Sequence, residues 1–373
     1  MAVRRPADGP VRYAVVGAGW FGQAAVLPAF ANAAENSKLV AIVSGNPEKR
    51  DELAARYGVP AVPYDGYGAL LRSGEVDAVY VVTPNSEHRD HAVTAARCGV
   101  HVLCEKPLAD TPAAAEEMIA ECDRNGVLLM TAYRLHFERS NLAAIRAAND
   151  GTIGTPRLFT AVNTQNVSHP GVTRLRPHLG GHPLLDIGIY CLNAARYVFR
   201  AEPTEVTAFA AENRGDPRFA AGVPDMLTAL LRFPGERLAT IACGFGEASV
   251  SAFQVVGTDG DLRMDPAFGF VGERKMLVTK GGKTVETVFP PQDHVGAEIV
   301  YFSDRIRTGE RPEPDGYEGL IDLRIIDAML HSVTKGMAVP VQPVGRKPRP
   351  DAGQRIDKPP VEEPELVNAA PPT

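Results

Sequence analysis

The stretch Gly17-Ala18-Gly19-Trp20-Phe21-Gly22 restricts this chain to very few folds. An apolar run, Tyr13 to Val16, precedes it, and a run of helical composition, Gln23 to Phe30, follows. Strand, glycine-rich turn and helix in that order open a βαβ unit. The first glycine lets the chain turn tightly. The second, lacking a Cβ, lets the main chain approach a pyrophosphate, and the third lets helix and strand pack closely. The helix start then offers free N–H groups and a partial positive charge to phosphate. Gly17, Gly19, Trp20, Phe21 and Gly22 are therefore expected to bind a dinucleotide. The competing reading is a tight turn that binds nothing; the strand and helix on either side weigh against it.

The same alternation continues. Leu39 to Val43, Ala78 to Val82, Val100 to Cys104 and Val127 to Ala132 are short apolar runs, as in parallel strands covered on both faces. Between them lie helix signals: Asn46 as a cap with Pro47 after it and Gly58 past the end, a short helix Tyr67 to Arg72, a helix Ser86 to Cys98 closed by Gly99, and Thr111-Pro112 opening a helix that Gly126 stops. Pro28 is expected to kink or end the first helix near Leu27. Residues 11–133 are thus expected to form a doubly wound parallel α/β sheet, a Rossmann domain.

After Tyr133 the pattern changes. Glu138 to Ala148 and Leu184 to Phe199 read as helices, and Arg157 to Gln165 alternates like a half-exposed strand. Further strands are expected at Glu205–Glu212, Met226–Phe233, Leu238–Cys243, Ala252–Val256 and Leu262–Asp265, then helices at Val295–Arg307 and Tyr317–Ser332. This predicts a second α/β domain over 134–343, with an open, mainly antiparallel sheet and helices on one face. Residues 344–373 are rich in Pro, Glu and Ala and are expected to be a disordered tail, as residues 1–10 are a loose arm.

Composition removes several function classes. The net charge is −6 and no basic stripe occurs, which excludes a nucleic-acid partner. No apolar run reaches the ~18 residues of a membrane span. Met1 to Pro10 lacks the apolar core of a secretory signal, so a cytoplasmic location is expected. The five cysteines form no CxxC pair and read as reduced core thiols. No metal is expected: His178 and His182 have no acid or cysteine at ligand spacing beside them.

GAGWFG at 17–22, TPNSEH at 83–88, HVLCEKPLA at 101–109 and DIGIYCLNAARY at 186–197 together resemble the glucose–fructose oxidoreductase/inositol dehydrogenase family (Gfo/Idh/MocA). SGNPEKR at 44–50, YRLHF at 133–137 and DIGIY look most like its glucose–fructose oxidoreductase members. The resemblance implies a Rossmann domain followed by an α/β domain whose open sheet mediates a homodimer or homotetramer. It also implies hydride transfer between a sugar substrate and a nicotinamide cofactor.

Each candidate residue can be weighed on its own chemistry. An NAD enzyme places an acid after the second strand to bind the ribose 2′-OH. This chain has Ser44, Gly45 and Asn46 there, with Lys49 and Arg50 about one turn later, which suits a 2′-phosphate. NADP is therefore expected, with NAD possible if those cations are merely solvated. Thr83, Pro84, Asn85 and His88 follow the strand Ala78–Val82, where ligands bind in such sheets, and the resemblance places them by the nicotinamide. His88 can equally be a cap.

Lys106, between Glu105 and Pro107, ends another strand. Its ammonium can stabilise charge developing on a substrate oxygen, against the plainer reading of an ion pair with Glu105. Asp186 and Tyr190 stand four apart on one helix, which the resemblance places along the cleft, with Gly188 leaving room for a close neighbour. A tyrosine, with an ordinary pKa of ~10, is a poor base at neutral pH; a lysine nearby makes it usable. Lys106, Asp186 and Tyr190 are the expected catalytic residues. Arg134 is assigned to the cofactor, and His136, Arg176, His178 and His182 to the substrate. The reading is an NADP-dependent oxidoreductase of an aldose or related sugar. The alternative is a non-catalytic NADP-sensing protein of the same fold.

Overall fold

The computed structural model describes residues 9–167, 172–213, 215–342, 345, 349–371 and 373. Most of the expected N-terminal arm, and residues 344, 346–348 and 372 of the expected tail, lie outside the described residues. The chain divides into two units. The first takes the residues up to Arg134 with 293–320 and 358–371; the second takes 135–292 and 321–357.

The first unit holds six parallel strands: β1 (Val11–Val16), β2 (Ser37–Val43), β3 (Ala61–Val62), β4 (Ala78–Val81), β5 (His101–Glu105) and β6 (Leu129–Ala132). Their order is β3-β2-β1-β4-β5-β6, a doubly wound Rossmann sheet whose direction of winding changes between β1 and β4. Every residue of β4, β5 and β6 is buried, which is why these runs lack polar alternation. The helix caps follow their signals. Asn46 accepts from Lys49 N and Gly58 takes the left-handed conformation after Pro47–Tyr57. Thr111 and Gly126 do the same for Pro112–Asn125. Pro28 acts as its chemistry demands: a π turn over Gly22–Val26 precedes it, and the α-helix extends only to Ala29.

The unit limits differ from the expected 134–343: residues 293–320 belong to the first unit, and the second continues to 357. The helix His294–Thr308 joins the first unit, because its polar face completes that unit's core. Ser303 Oγ lies 2.8 Å from Tyr13 Oη and 2.7 Å from Ser37 Oγ. Asn36 Nδ2 donates to Val300 O and to Asp304, each at 2.9 Å. Buried hydroxyls and amides need such partners, so helix and sheet are one folding unit.

The tail expectation also differs from what residues 349–371 do. Pro359 O accepts from Asn32 Nδ2 at 2.8 Å, and Glu365 O from Arg56 Nη1 at 2.5 Å. Val367, only 5% exposed, is held on both main-chain groups by the Gln23 amide, at 2.7 and 2.9 Å. Low hydrophobicity removes a core of its own but leaves free main-chain groups, and these bond to a surface already formed.

The second unit carries a nine-stranded sheet. Its strands are β7 (Pro156–Asn166), β8 (Glu205–Ala211), β9 (Met226–Phe233), β10 (Arg237–Gly244), β11 (Gly246–Gly257), β12 (Gly260–Met264), β13 (Arg274–Lys280), β14 (Lys283–Phe289) and β15 (Val339–Pro340). The order is β14-β13-β12-β11-β7-β10-β9-β8-β15. β7 and β10 pair in parallel, and the other pairs are antiparallel. β13 and β14 were not expected; Gly281 and Gly282, with φ of 57° and 73°, make their hairpin turn. Along β9 exposed and buried residues alternate without exception. The helices Arg139–Asn149 and Ile189–Phe199 lie against β7, β10, β12 and β13. The other face shows Leu158, Val162, Phe209, Met226, Leu230, Leu238 and Val256 to solvent, with Phe209 at 69%.

Candidate active site

In a parallel sheet all carboxyl ends point one way. Gly17, Ser44, Thr83, Lys106 and Arg134 each follow the end of a strand, so the first unit gathers its candidates along one edge. Gly17 has φ 106°, and a Cβ there would stand 2.6 Å from Val82 O and 3.0 Å from Thr83 N. This glycine is required by the neighbouring strand end. Gly22 would meet Gly17 O at 3.0 Å. At Gly19 a Cβ would meet nothing within 4 Å beyond its chain neighbours. The space over Gly19 is open, so a ligand can come close to the main chain there. Thr83 adds a hydroxyl that is buried yet has no hydrogen-bond partner among the described residues. A pyrophosphate with its nicotinamide ribose supplies what both features ask for, so the residues fit a dinucleotide.

On the same sheet edge, Arg50 Nη1 donates to Ser44 O at 2.9 Å, laying its guanidinium over the end of β2. Ser44 itself is 4% exposed, and its Oγ receives Asn46 N at 3.4 Å. Burial lowers the pKa of the half-buried Lys49. Gly45 has the Tyr64 ring 3.2 Å from its Cβ position. No acid occupies Ser44, Gly45 or Asn46, where an NAD-specific site would place one.

His88, expected near the nicotinamide, lies between the loops that carry Thr83 and Pro107. It is 1% exposed, with Nε2 2.9 Å from Thr83 O and Nδ1 3.0 Å from Pro107 O. Both neighbours are carbonyl oxygens; burial lowers the pKa, and the neutral ring has one N–H to donate to one of them. His88 ties the loop after β4 to the loop after β5. That second loop contains the cis peptide between Lys106 and Pro107. Lys106 is half-buried, and its main-chain N–H donates to Glu105 Oε2 at 3.3 Å.

Behind Lys106 lies a group of charges that sequence reasoning caught only in part. Tyr80 Oη is 2.8 Å from Glu105 Oε1 and 2.6 Å from Glu298 Oε1. Arg134, 5% exposed, donates from Nη1 to His294 Nδ1 at 2.9 Å. An arginine has no acceptor, so that histidine nitrogen carries no proton. Arg134 thus faces the acids behind the sheet edge. Glu298 and His294 come from a helix far along the chain, which no local spacing connects to β5. Gln23 was also missed. Its Nε2 reaches Ala18 O inside the glycine turn at 2.9 Å and Val367 O at the same distance.

In the second unit, Asp186 sits in a π turn, Leu184–Gly188, ahead of the helix that carries Tyr190. The neighbour that Gly188 admits is Cys243: a Cβ would stand 2.8 Å from its Sγ. Asp186 Oδ2 pairs with Arg174 Nε at 2.8 Å, and Arg174 Nη1 reaches Gln165 Oε1 at 2.5 Å. The Tyr190 ring lies nearly parallel to Phe268 at 6.1 Å. Arg176 and His178 are exposed on the preceding loop. His182 accepts Leu184 N at 3.0 Å, and burial pushes its pKa down to about 4. His136, expected at the substrate, is 1% exposed and lies edge-on to Tyr197 at 4.9 Å. Among the described residues no cluster of histidine, cysteine and acid side chains could hold a metal, and no helix is long and apolar enough to cross a membrane.

Comparison with known proteins bears on both units. Residues 11–133 match the oxidoreductase family with an NAD-binding Rossmann fold, and residues 142–263 match the GFO/IDH/MocA C-terminal domain. The D-xylose 1-dehydrogenase [NADP(+)] of Haloarcula marismortui is 34% identical over 86% of this chain and 91% of its own length. The aldose–aldose oxidoreductase of Caulobacter crescentus, solved with glycerol, superposes with a TM-score of 0.85 at 36% identity, covering 89% of this chain and all of that one. A 3-ketoreductase of Actinomadura kijaniata, solved with NADP and TDP-benzene, gives 0.80 at 28% identity over 87% and 98%. By sequence and by fold in both of its units, this chain belongs to the Gfo/Idh/MocA oxidoreductase family.

Proposed function

We propose that the chain is an NADP-dependent oxidoreductase that moves hydride between nicotinamide and C1 of an aldose or related sugar, giving a lactone, or reduces a sugar carbonyl in reverse. The observation that carries this reading is the single sheet edge bearing an open glycine turn at Gly19 and an ammonium at Lys106. The cofactor supplies the redox chemistry; the protein supplies placement and charge. Gly17 to Gly22 and Thr83 hold the pyrophosphate and ribose, and Arg50 with Lys49 receives the 2′-phosphate. Lys106 stabilises negative charge developing on the reacting sugar oxygen. Tyr190 takes the hydroxyl proton, with its ring held by Phe268. Asp186, kept in place by Arg174, orients the sugar, and Arg176, His178 and His182 border its binding face.

The relatives support this. The proteins named above are a xylose dehydrogenase, an aldose–aldose oxidoreductase and a ketoreductase, the first two named for sugars. Nothing in the chain favours the non-catalytic alternative. The exposed apolar face of the second sheet, from Leu158 to Val256, takes a second copy of the chain. The experiment is a scan of aldoses, ketoses and polyols against purified protein, following the absorbance of the reduced nicotinamide. Turnover with an aldose and NADP is expected. Binding of NADP with no spectral change for any sugar would defeat the enzymatic reading.

A further inference from the structure

Tyr80 Oη makes two short contacts to carboxyl oxygens, at 2.8 Å to Glu105 and 2.6 Å to Glu298. A phenol has one proton. Each of these contacts needs one, so the second must come from a carboxyl group. Glu298 is fully buried, and its Oε2 has no hydrogen-bond partner among the described residues. A bare carboxylate oxygen left so is far costlier than the carbonyl oxygen of a neutral acid. Glu105 differs: its Oε2 receives the Lys106 N–H, and the Lys106 charge stands beside it.

We propose that Glu298 is a standing neutral acid that donates to Tyr80, so that Tyr80 donates to Glu105 and fixes the negative charge on Glu105, beside Lys106. Glu298 and Tyr80 are thereby positioning residues for the lysine. This rests on the reading of Lys106 as a catalytic group. The groups facing Glu298 are Tyr80 from β4, Glu105 from β5, Arg134 after β6 and Asp293 at the start of its own helix. Arg134 favours ionisation of both acids and so does not choose between them. Burial raises both acids, but the Lys106 charge and N–H pull Glu105 back down, whereas the Glu105 charge pushes Glu298 further up, well above the usual carboxyl range. Tyr80, raised by burial, keeps its proton.

The test begins with infrared spectroscopy of the whole protein in mildly alkaline buffer. A carbonyl band of a protonated carboxylic acid is expected in the unmutated protein and absent in Glu298→Gln. If both proteins give the same acid band, or neither gives one, Glu298 is ionised and the proposal fails, whatever the activity. The second readout is the pH–rate profile with NADP and the best sugar. Glu298→Gln, whose amide can donate to Tyr80, keeps turnover within about two-fold, whereas Glu298→Leu loses roughly ten-fold, the worth of one hydrogen bond. Tyr80→Phe removes the donor to Glu105 and moves the acid limb of the profile upward in pH by about one unit. A Glu298→Gln protein as damaged as Glu298→Leu, or a Tyr80→Phe profile that does not move, overturns the proposal. Absence of sugar turnover in the unmutated protein would refute the proposed function instead, and leaves the infrared result standing.

Discussion

Two alanine substitutions, two residues apart, separate what the glycine turn does for the fold from what it does for the cofactor. In Gly17→Ala the new Cβ stands 2.6 Å from Val82 O and 2.8 Å from Val82 C, all main-chain atoms, at a φ of 106°. The strained backbone costs about 1–3 kcal/mol, and shifting the end of β4 adds a further ~1–3 kcal/mol. This loss is present without any cofactor. In Gly19→Ala the new atom meets nothing within 4 Å beyond its chain neighbours, and the residue is outside the left-handed region. The fold is then unharmed or gains ~0.4–1 kcal/mol from a less flexible unfolded chain. The methyl group instead occupies the approach of the pyrophosphate. Losing one charge-assisted hydrogen bond there is worth about 1.5–3 kcal/mol, or roughly 10- to 150-fold in Kd. The chain's single tryptophan, Trp20, adjoins Gly19 and reports binding by its fluorescence. Denaturant unfolding without cofactor and NADP titration of Trp20 emission give the two numbers. A Gly19→Ala protein that binds NADP as tightly as the unmutated chain would refute the pyrophosphate approach at Gly19, and a fully stable Gly17→Ala would refute the contact with Val82.

Ser44→Asp brings a carboxylate under the Arg50 guanidinium, so the ratio of NADP to NAD affinity, measured by titration, should invert; equal affinities in the unmutated protein would end the argument. Tyr190→Phe and Lys106→Ala should each lower kcat by roughly 10²–10⁴-fold while NADP still binds; near-normal turnover in Tyr190→Phe makes that tyrosine structural. Phe209→Glu with Leu230→Lys places charges on the open sheet face, and light scattering should then give a smaller species than the unmutated chain, which should not be a monomer at micromolar concentration. Gln23→Ala frees Val367, so limited proteolysis should cut within 358–371 sooner than before, at unchanged rates elsewhere.

Much of this molecule was legible because its signals are local. The glycine turn, the caps at Asn46 and Thr111 and the stops at Gly58 and Gly126 each act within one turn of chain, and all lie where their chemistry put them. What was not legible depends on distant partners. The periodicity of Val295 to Arg307 says that one helix face is buried, not against which sheet. Glu298 is a charge in that face, and only Tyr80 and Glu105, some two hundred residues earlier, explain it. β14 is exposed at nearly every position, so alternation gives no strand signal there; the Gly281-Gly282 pair was the available clue. His88 was placed by the strand end before it and by the resemblance, but its burial against Pro107 O depends on a loop nineteen residues on and could not be read locally.

The first unit's three separate stretches set the order in which it can be completed as the chain is made. When synthesis has passed Ala132 all six strands of the sheet exist, but Tyr13 and Ser37 still lack Ser303, Asn36 lacks Val300 and Asp304, and Tyr80 lacks Glu298. Gln23, beside the cofactor turn, waits longest, until Val367 emerges. The nucleotide-binding half therefore begins first and finishes last, with the whole of the other sheet made in between. A fragment cut at residue 133 contains the complete glycine motif and an unfinished core.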